Sequence, residues 1–254
     1  MCDRLSAHPW AEQIIRLDTV DSTNTYAKQL ARQGAPHGTV ILADQQTGGR
    51  GRLGRSFSSP AGLGIYCSVV LRYEEAPESL FLLTPVMAEA ARRAVAQATG
   101  LQPSIKWIND LVLDGRKLCG ILTELGQGFV VVGIGINCNQ QTADFPPELR
   151  ETAISLYQSL GKPVDRDAVA AALIRQVQQA ADGFLNDPSC WMEDYRQHCL
   201  TIGKDVQLIR DDTVRYAHVD DMDETGALLV TLPDGTKETV FSGEVSVRGL
   251  YGYL

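Results

Sequence analysis

Two stretches of this chain carry residue types that could do chemistry together. Gly48-Gly49-Arg50-Gly51-Arg52-Leu53-Gly54-Arg55 places four glycines and three arginines within eight residues. Each glycine costs a helix about 1 kcal/mol against alanine, and in a strand it leaves nothing to pack. The composition makes instead a loop whose backbone N–H groups can approach a ligand, beside permanently charged bidentate donors. Phosphate or carboxylate oxygens suit such a loop. A disordered surface loop or a basic nucleic-acid patch is the plainer alternative. Apolar runs at 39–43 and 65–71 give strand–loop–strand context and favour the ligand loop.

The second stretch is Lys106-Trp107-Ile108-Asn109-Asp110, a cation, an aromatic, an amide and a carboxylate at a strand end. A hairpin with Asn-Asp turn chemistry and a surface lysine would account for it equally. Lys117 follows nearby, and strand alternation sends Lys117, Cys119 and Ile121 to one face. A lysine heading an apolar row is either an edge gatekeeper or a buried functional cation. Asp21-Ser22-Thr23-Asn24 is a cluster of helix-capping residues. Capping alone explains Ser22 and Thr23, while the helix start also offers hydroxyls and N–H groups to a ligand.

These residues need elements to hold them. Residues 14–20 read as a strand, followed by a helix from the Asp21–Asn24 cluster that Gly34 ends. Strands follow at 39–44 and 65–71, then an alanine-rich helix over 80–99 closed by Gly100. Residues 104–113 run strand, turn, strand, with Asp114-Gly115 a hairpin signal. Strands at 117–124 and 129–137 complete a meander, a mixed or antiparallel sheet with helices on one face. Helices are expected at 149–160, 165–185 and 190–199. Past Thr201-Ile202 the pattern changes to five short alternating segments at 206–209, 214–219, 227–232, 238–241 and 245–248, which suggests a small β-barrel. The chain therefore divides into 1–201 and 202–254.

Composition narrows the function classes. The chain has 254 residues, 44% of them hydrophobic and 21% charged, ordinary for a soluble globular protein. No apolar run approaches a membrane span and no leader pattern opens the chain, so a cytoplasmic location is expected. The six cysteines and four histidines stand singly, without metal-ligand or disulfide spacing. The net charge of −8 disfavours general nucleic-acid binding, leaving the arginine loop as a local positive feature for a small anion. Gly133-x-Gly135 lacks the third glycine of a dinucleotide motif.

The ordered set of motifs resembles the catalytic domain of biotin–protein ligase. It consists of Asp21-Ser22-Thr23-Asn24, Gln46-Thr47 with the glycine–arginine loop, Ser59-Pro60-x-Gly62, Lys106-Trp107-x-Asn109-Asp110, Arg116-Lys117-Leu118-x-Gly120-Ile121-Leu122-x-Glu124 and Gly133-Ile134-Gly135-Ile136-Asn137. Ser242 to Arg248 is similar to the family's C-terminal SH3-like barrel. The resemblance runs from about residue 14 to 250. It departs at Phe57, where the family usually has tryptophan, at Ile108, usually proline, and at Gly48, commonly alanine. Phe57 keeps an aromatic face. Ile108 removes a rigid turn residue beside Asn109 and Asp110.

The resemblance implies an α+β class II synthetase-like ligase domain with a small SH3-like barrel, of the single-function type without a DNA-binding domain. It implies that biotin and ATP give biotinyl-5′-AMP, and that biotin then passes to a lysine of a biotin carboxyl carrier protein. Ser22, Thr23, Asn24, Gln46, Arg50, Gly51, Arg52, Lys117, Gly120, Gly133 and Gly135 are then expected around biotin. Arg52, Arg55, Phe57, Lys106, Asn109, Asp110, Asn137 and Arg248 are expected around ATP, with Asp110 on Mg2+. Lys117, Arg50, Arg52 and Lys106 are the expected catalytic cations. A lipoate or octanoate ligase of the same fold and a non-enzymatic biotin-responsive regulator are the alternatives, and a homodimer is possible. The four loop glycines imply a segment that is mobile when empty and closes over the acyl adenylate. Trypsin is expected to nick the free protein within residues 50–56, and biotin with MgATP to slow that cleavage sharply; equal cleavage in both states would remove the closure.

Overall fold

The computed structural model describes residues 5–73, 78–184, 186–210, 213–242 and 246–249. Leu185 and Gly243-Glu244-Val245, parts of an expected helix and of the C-terminal motif, lie outside these residues. Strand β1 (Ile14–Val20) pairs in parallel with β2 (Thr39–Gln46), and helix α1 (Thr23–Arg32) makes the crossover. The helix starts where the capping cluster predicts, with Ser22 Oγ accepting from the Thr25 N–H at 3.4 Å. β3 (Gly64–Leu71) follows. After α2 (Leu83–Thr99) come β4 (Ser104–Lys106), β5 (Asp110–Leu113), β6 (Arg116–Gly126) and β7 (Phe129–Asn137). The sheet order is β1-β2-β3-β7-β6-β5-β4, and every pairing after the first is antiparallel.

Helices cover both faces, not the single face expected. Alternation along β3 explains why: its eight residues are all buried, so both faces of the strand need partners. Ile65, Cys67, Val69 and Leu71 join the core with α2 and α4 (Arg166–Phe184). On the opposite face Ile41, Val70, Phe129 and Val131 meet Ala27 and Ala31 of α1. The latter patch is small. Toward the other end of β3, β6 and β7 the same face carries Gly120, Gly133 and Gly135 where large side chains would otherwise fill it, and a cavity takes their place.

The helix expected at 149–160 is split into a 3-10 turn at Pro147–Leu149 and α3 (Leu156–Leu160). Residues 152–154 leave the helix because their backbone pairs with β6. The Lys117 N–H donates to the Thr152 carbonyl at 2.8 Å, and the Ile154 N–H to the Lys117 carbonyl at 2.9 Å. Ser155 restarts the helix with a reciprocal cap to Gln158. The next helix begins at Arg166, and α5 (Ser189–His198) follows it. Among the described residues no helix is long and apolar enough to cross a membrane.

The C-terminal residues form β8 (Asp205–Arg210), β9 (Thr213–Met222), β10 (Leu228–Thr231), β11 (Lys237–Val240) and β12 (Ser246–Gly249), an antiparallel sheet ordered β11-β10-β9-β8-β12. Its five strands fall where the alternating segments predict. Trp107 joins this sheet to the larger one: its backbone N–H donates to Thr201 Oγ1 at 3.0 Å and its indole Nε1 to the Gly226 carbonyl at 2.9 Å.

Glu89 of α2 is fully buried and braces the helices together. It accepts from Arg92 Nε at 2.7 Å, Arg92 Nη2 at 2.8 Å and Arg93 Nε at 2.9 Å. Arg93 continues to Asp194 of α5, and its guanidinium lies 4.0 Å from the Trp191 ring centroid. Removing the carboxylate leaves the buried Arg92 guanidinium without a counter-charge, while Arg93 keeps Asp194. Glu89→Ala should therefore lose about 3 kcal/mol of unfolding free energy in urea titration; a loss under about 1 kcal/mol would mean that water replaces the carboxylate.

Candidate active site

Two cavities adjoin on the α1 side of the sheet. The inner one lies between the start of α1, the end of β2 and the glycines of β6 and β7. Ser22, Thr23, Asn24, Gln46, Arg50, Gly51, Arg52, Lys117, Gly120, Gly133 and Gly135 all line it. The outer one is larger, extends toward the C-terminal sheet and is lined by Arg52, Arg55, Phe57, Lys106, Asn109, Asp110, Asn137 and Arg248. Gly51, Arg52, Phe57, Asn109 and Lys117 border both. The two expected residue groups are thus sorted into two compartments that share a seam.

Lys117 reaches this seam by a β-bulge, against the alternation read from sequence. Leu111 pairs with Cys119 and the next residue, Val112, with Lys117, so Leu118 is an extra residue in β6. Cys119 and Ile121 stay in the core. The bulge turns Lys117 to the face of Gly120 instead, where a Cβ on Gly120 would stand 3.1 Å from Lys117 Nζ. Lys117 Nζ is 2.8 Å from Asp110 Oδ1. Asn109 is clamped beside it: its Nδ2 donates to the Ile121 carbonyl at 2.8 Å, its own carbonyl accepts from the Ile121 N–H at 2.8 Å, and its Oδ1 accepts from Arg52 Nη1 at 3.1 Å. Asn137 Nδ2 donates to the Ile154 carbonyl at 3.0 Å, so this amide supports the wall more than it faces a ligand.

The glycines admit side chains from the opposite wall. A Cβ at Gly133 would overlap Asn24 Oδ1, and one at Gly135 would stand 2.5 Å from the Phe57 ring. Phe57 meets Tyr66 edge-on, with ring centroids 6.4 Å apart. In the arginine loop, Leu53 has φ 55° and is 65% exposed. An apolar side chain held out in left-handed backbone is strained and unburied, which suits a segment that changes partners.

Charge is concentrated at the seam and outward from it. Burial pushes the Lys106 amine down to about 8; Asp110 opposes this, and Lys117, Arg248 and Arg55 reinforce it. Burial, and to a lesser degree Arg55, likewise lowers Arg52. Among the described residues no group of three His, Cys, Asp or Glu is arranged to hold a metal ion. The five described cysteines are free; Cys67 and Cys138 are buried in the core, and that burial pushes their thiols up to about 12.

A second row of residues was given no role from sequence, although Ser59 and Glu124 stand in the motifs that carry the resemblance. Ser59, Ser68 and Glu124 hydrogen-bond the residues that line the inner cavity, and Phe145, Leu149 and Ala153 give the outer one an apolar wall. Ser68 left a signal, a lone hydroxyl in the apolar run of β3. The apolar wall left none: Ala153 lies where a continuous helix was expected, and Phe145 and Leu149 stand in and beside the short turn before it.

Residues 17–141 match the biotin/lipoate A/B protein ligase family, and residues 201–248 the biotin protein ligase C-terminal domain. The chain is 33% identical over 253 residues to the bifunctional ligase/repressor BirA of Bacillus subtilis, covering 96% of this chain and 76% of that protein. It is 34% identical over 241 residues to the biotin–[acetyl-CoA-carboxylase] ligase of Mycobacterium tuberculosis, covering 91% and 88%. The structure of the biotin protein ligase from Aquifex aeolicus in complex with biotin and ATP superposes with a TM-score of 0.82 at 32% identity, over 93% of this chain and 98% of that one. Fold and site first define a member of the biotin/lipoate ligase class. Within that class, the chain belongs to the biotin protein ligase family.

A lysine with an amine near 8 is partly neutral in mildly alkaline solution. A triphosphate in the outer cavity favours its charged form, so binding must take up a proton wherever Lys106 is neutral beforehand. Calorimetric titration with a triphosphate ligand in two buffers of different ionisation heat should show proton uptake at about pH 8.5 and almost none at about pH 6.5, with affinity weakening above about pH 8. Lys106→Met should abolish the difference; if it persists, another group is titrating.

Proposed function

We propose that the chain is an ATP-dependent biotin–protein ligase, which forms biotinyl-5′-AMP and then transfers biotin to a lysine of a biotin carboxyl carrier domain. The observation that carries this is the seam: a polar inner cavity meets a larger cationic one at Lys117 and Arg52. Biotin in the inner cavity would present its carboxylate at the seam, and ATP in the outer one its α-phosphate. Both reactants are anionic, so the attack needs fixed positive charge where negative charge develops. Lys117 and Arg52 supply it at the reacting atoms, while Lys106, Arg55 and Arg248 face the polyphosphate. Arg50, from the inner wall, would close over biotin.

In the second step a lysine amine attacks the acyl carbonyl and AMP leaves. The side chains here orient the reactants and exclude water; neither step needs a covalent enzyme intermediate. Asp110 and the Asn109 side chain are hard oxygen donors next to the proposed phosphates. That set is too small for a resident ion and fits Mg2+ carried on the triphosphate, which would add charge neutralisation there. Residues 1–201 would then hold both substrates, and residues 202–254 would close the nucleotide side through Val247 and Arg248.

Biotin-dependent exchange of labelled pyrophosphate into ATP tests the reading. Exchange is expected with biotin and not with lipoate or octanoate, and the reverse pattern would replace biotin ligation by lipoate ligation. Lys117→Ala should slow exchange roughly 10²–10³-fold while changing unfolding stability by under about 1 kcal/mol. A Lys117→Ala enzyme with wild-type rate would reduce Lys117 to a partner for Asp110.

A further inference from the structure

Lys106 ends β4, the last strand of the larger sheet, so its backbone has a sheet partner on one side only. On that side it pairs with Asp110. On the open side, the chain that joins the two sheets takes the place of a further strand. Cys199 pairs in parallel with Ile105, the Leu200 N–H donates to the Ile105 carbonyl at 2.9 Å, and Thr201 Oγ1 accepts from the Trp107 N–H at 3.0 Å. Lys106 is thus bracketed by contacts from two successive residues of the linker. Thr201 and Trp107 are both buried, which keeps their hydrogen bond out of bulk water.

The same linker fixes the other side of the outer cavity. A short turn after Thr201 it enters β8, whose Gln207 stands opposite Arg248 of β12, and both of these line the cavity that Lys106 lines. The Trp107 indole adds a second tie, from Nε1 to the Gly226 carbonyl at 2.9 Å. Asp223 holds the turn that presents this carbonyl, accepting from the Ala227 N–H at 3.0 Å. Gly226 has φ 77°, and a Cβ there would stand 3.2 Å from Leu82 Cδ2, so the turn is seated against the start of α2. At Thr201 a hydroxyl does what a backbone carbonyl does along a strand ladder. A buried N–H without an acceptor is costly, so this hydroxyl holds the Lys106–Trp107 peptide in one orientation.

We propose that Thr201 is a positioning residue for the nucleotide: through the Lys106–Trp107 peptide it sets where Lys106 stands relative to Arg248 across the outer cavity. It touches neither substrate and acts only through Lys106. The proposal rests on the nucleotide part of the reading above and deepens it. Lys106 and Arg248 come from different sheets and serve one polyanion, so their separation decides whether both engage it together. An ammonium on a flexible stem reaches a fixed point only if its own backbone is held. Neither Thr201 nor Lys106 is among the described residues that line the inner cavity, so a ligand there is insulated from the change.

The test titrates the full chain, with biotin present, with α,β-methylene-ATP, whose carbon bridge replaces the leaving oxygen so that no turnover intrudes. Pyrophosphate exchange gives the biotin KM. Thr201→Val keeps the shape of the side chain and removes the acceptor. The Kd of the nucleotide analogue should rise roughly tenfold, with the biotin KM unchanged. Thr201→Ser keeps the hydroxyl and should stay within about threefold of wild type; a merely space-filling role would make serine the worse of the two. In a Lys106→Met background, Thr201→Val should add less than about twofold, because the residue through which it acts is gone. Thr201→Ala removes the acceptor without setting a methyl group against the N–H. It should raise the nucleotide Kd selectively as well, which keeps the test open if Thr201→Val does not fold. Wild-type nucleotide affinity in the valine or alanine variant, an equal loss for biotin, or the full loss repeated in the Lys106→Met background would overturn the proposal. Wild-type protein that binds the analogue but shows no biotin-dependent exchange would overturn the ligase reading, a separate result, and the titrations would still decide the role of Thr201.

Discussion

The structure depends on holding several cations close together before any anion arrives. Lys106, Lys117, Arg52, Arg55 and Arg248 converge on one cavity, and Asp110 is the one carboxylate among the described residues that line it. Like charges in a confined space repel; the Lys106 amine is depressed chiefly by burial, and the neighbouring cations add to it. The chain as a whole is acidic, at −8, so this patch works against the average field of the protein. A site of this kind is weakly stabilised by itself and needs rigid walls. The walls are a seven-stranded sheet, a bulge that fixes Lys117, and an indole that anchors the Lys106–Asn109 segment to the C-terminal sheet. The Lys117–Asp110 pair and the Arg52–Asn109 contact keep two of the cations placed meanwhile.

The inner cavity solves a different problem. Its polar groups are mostly buried and bonded to one another, so they are already oriented when a ligand enters. Gly133 is what permits this, since any side chain there would displace Asn24. One face of one sheet therefore serves two ends. Where α1 covers it, Ile41, Val70, Phe129 and Val131 make a small apolar core; where glycines replace such residues, it makes a binding surface.

Much of this was legible in the sequence because the relevant signals are local. Asp114-Gly115 marks a hairpin turn, Ser22 caps a helix, and the alternation after Thr201 marks short strands. The residues singled out line two adjoining cavities, with Gly51, Arg52, Phe57, Asn109 and Lys117 bordering both, because each motif sits at a strand end or turn whose place in the sheet is set by its neighbours. What was not legible is long-range. The backbone of residues 152–154 prefers β6 to its own helix, and local periodicity cannot report that. The extra residue at Leu118 reverses the face of Lys117, and a bulge is visible only in the pairing. Ser68 and Lys28 are far apart in sequence from the residues they meet: Ser68 touches Asn24 and Thr23, and Lys28 pairs with Glu124, a motif residue whose contacts the motif does not report.

The central claim is chemical: a carboxylate oxygen from the inner cavity becomes bonded to the α-phosphorus held in the outer one. Biotin labelled with ¹⁸O in its carboxylate tests this directly, using complete turnover onto a carrier domain and mass analysis of both nucleotide products. The account predicts AMP carrying one labelled oxygen and pyrophosphate carrying none, because the bridging oxygen leaves with AMP when the lysine attacks. Unlabelled AMP with labelled pyrophosphate or phosphate would contradict it and place the reaction at another phosphorus.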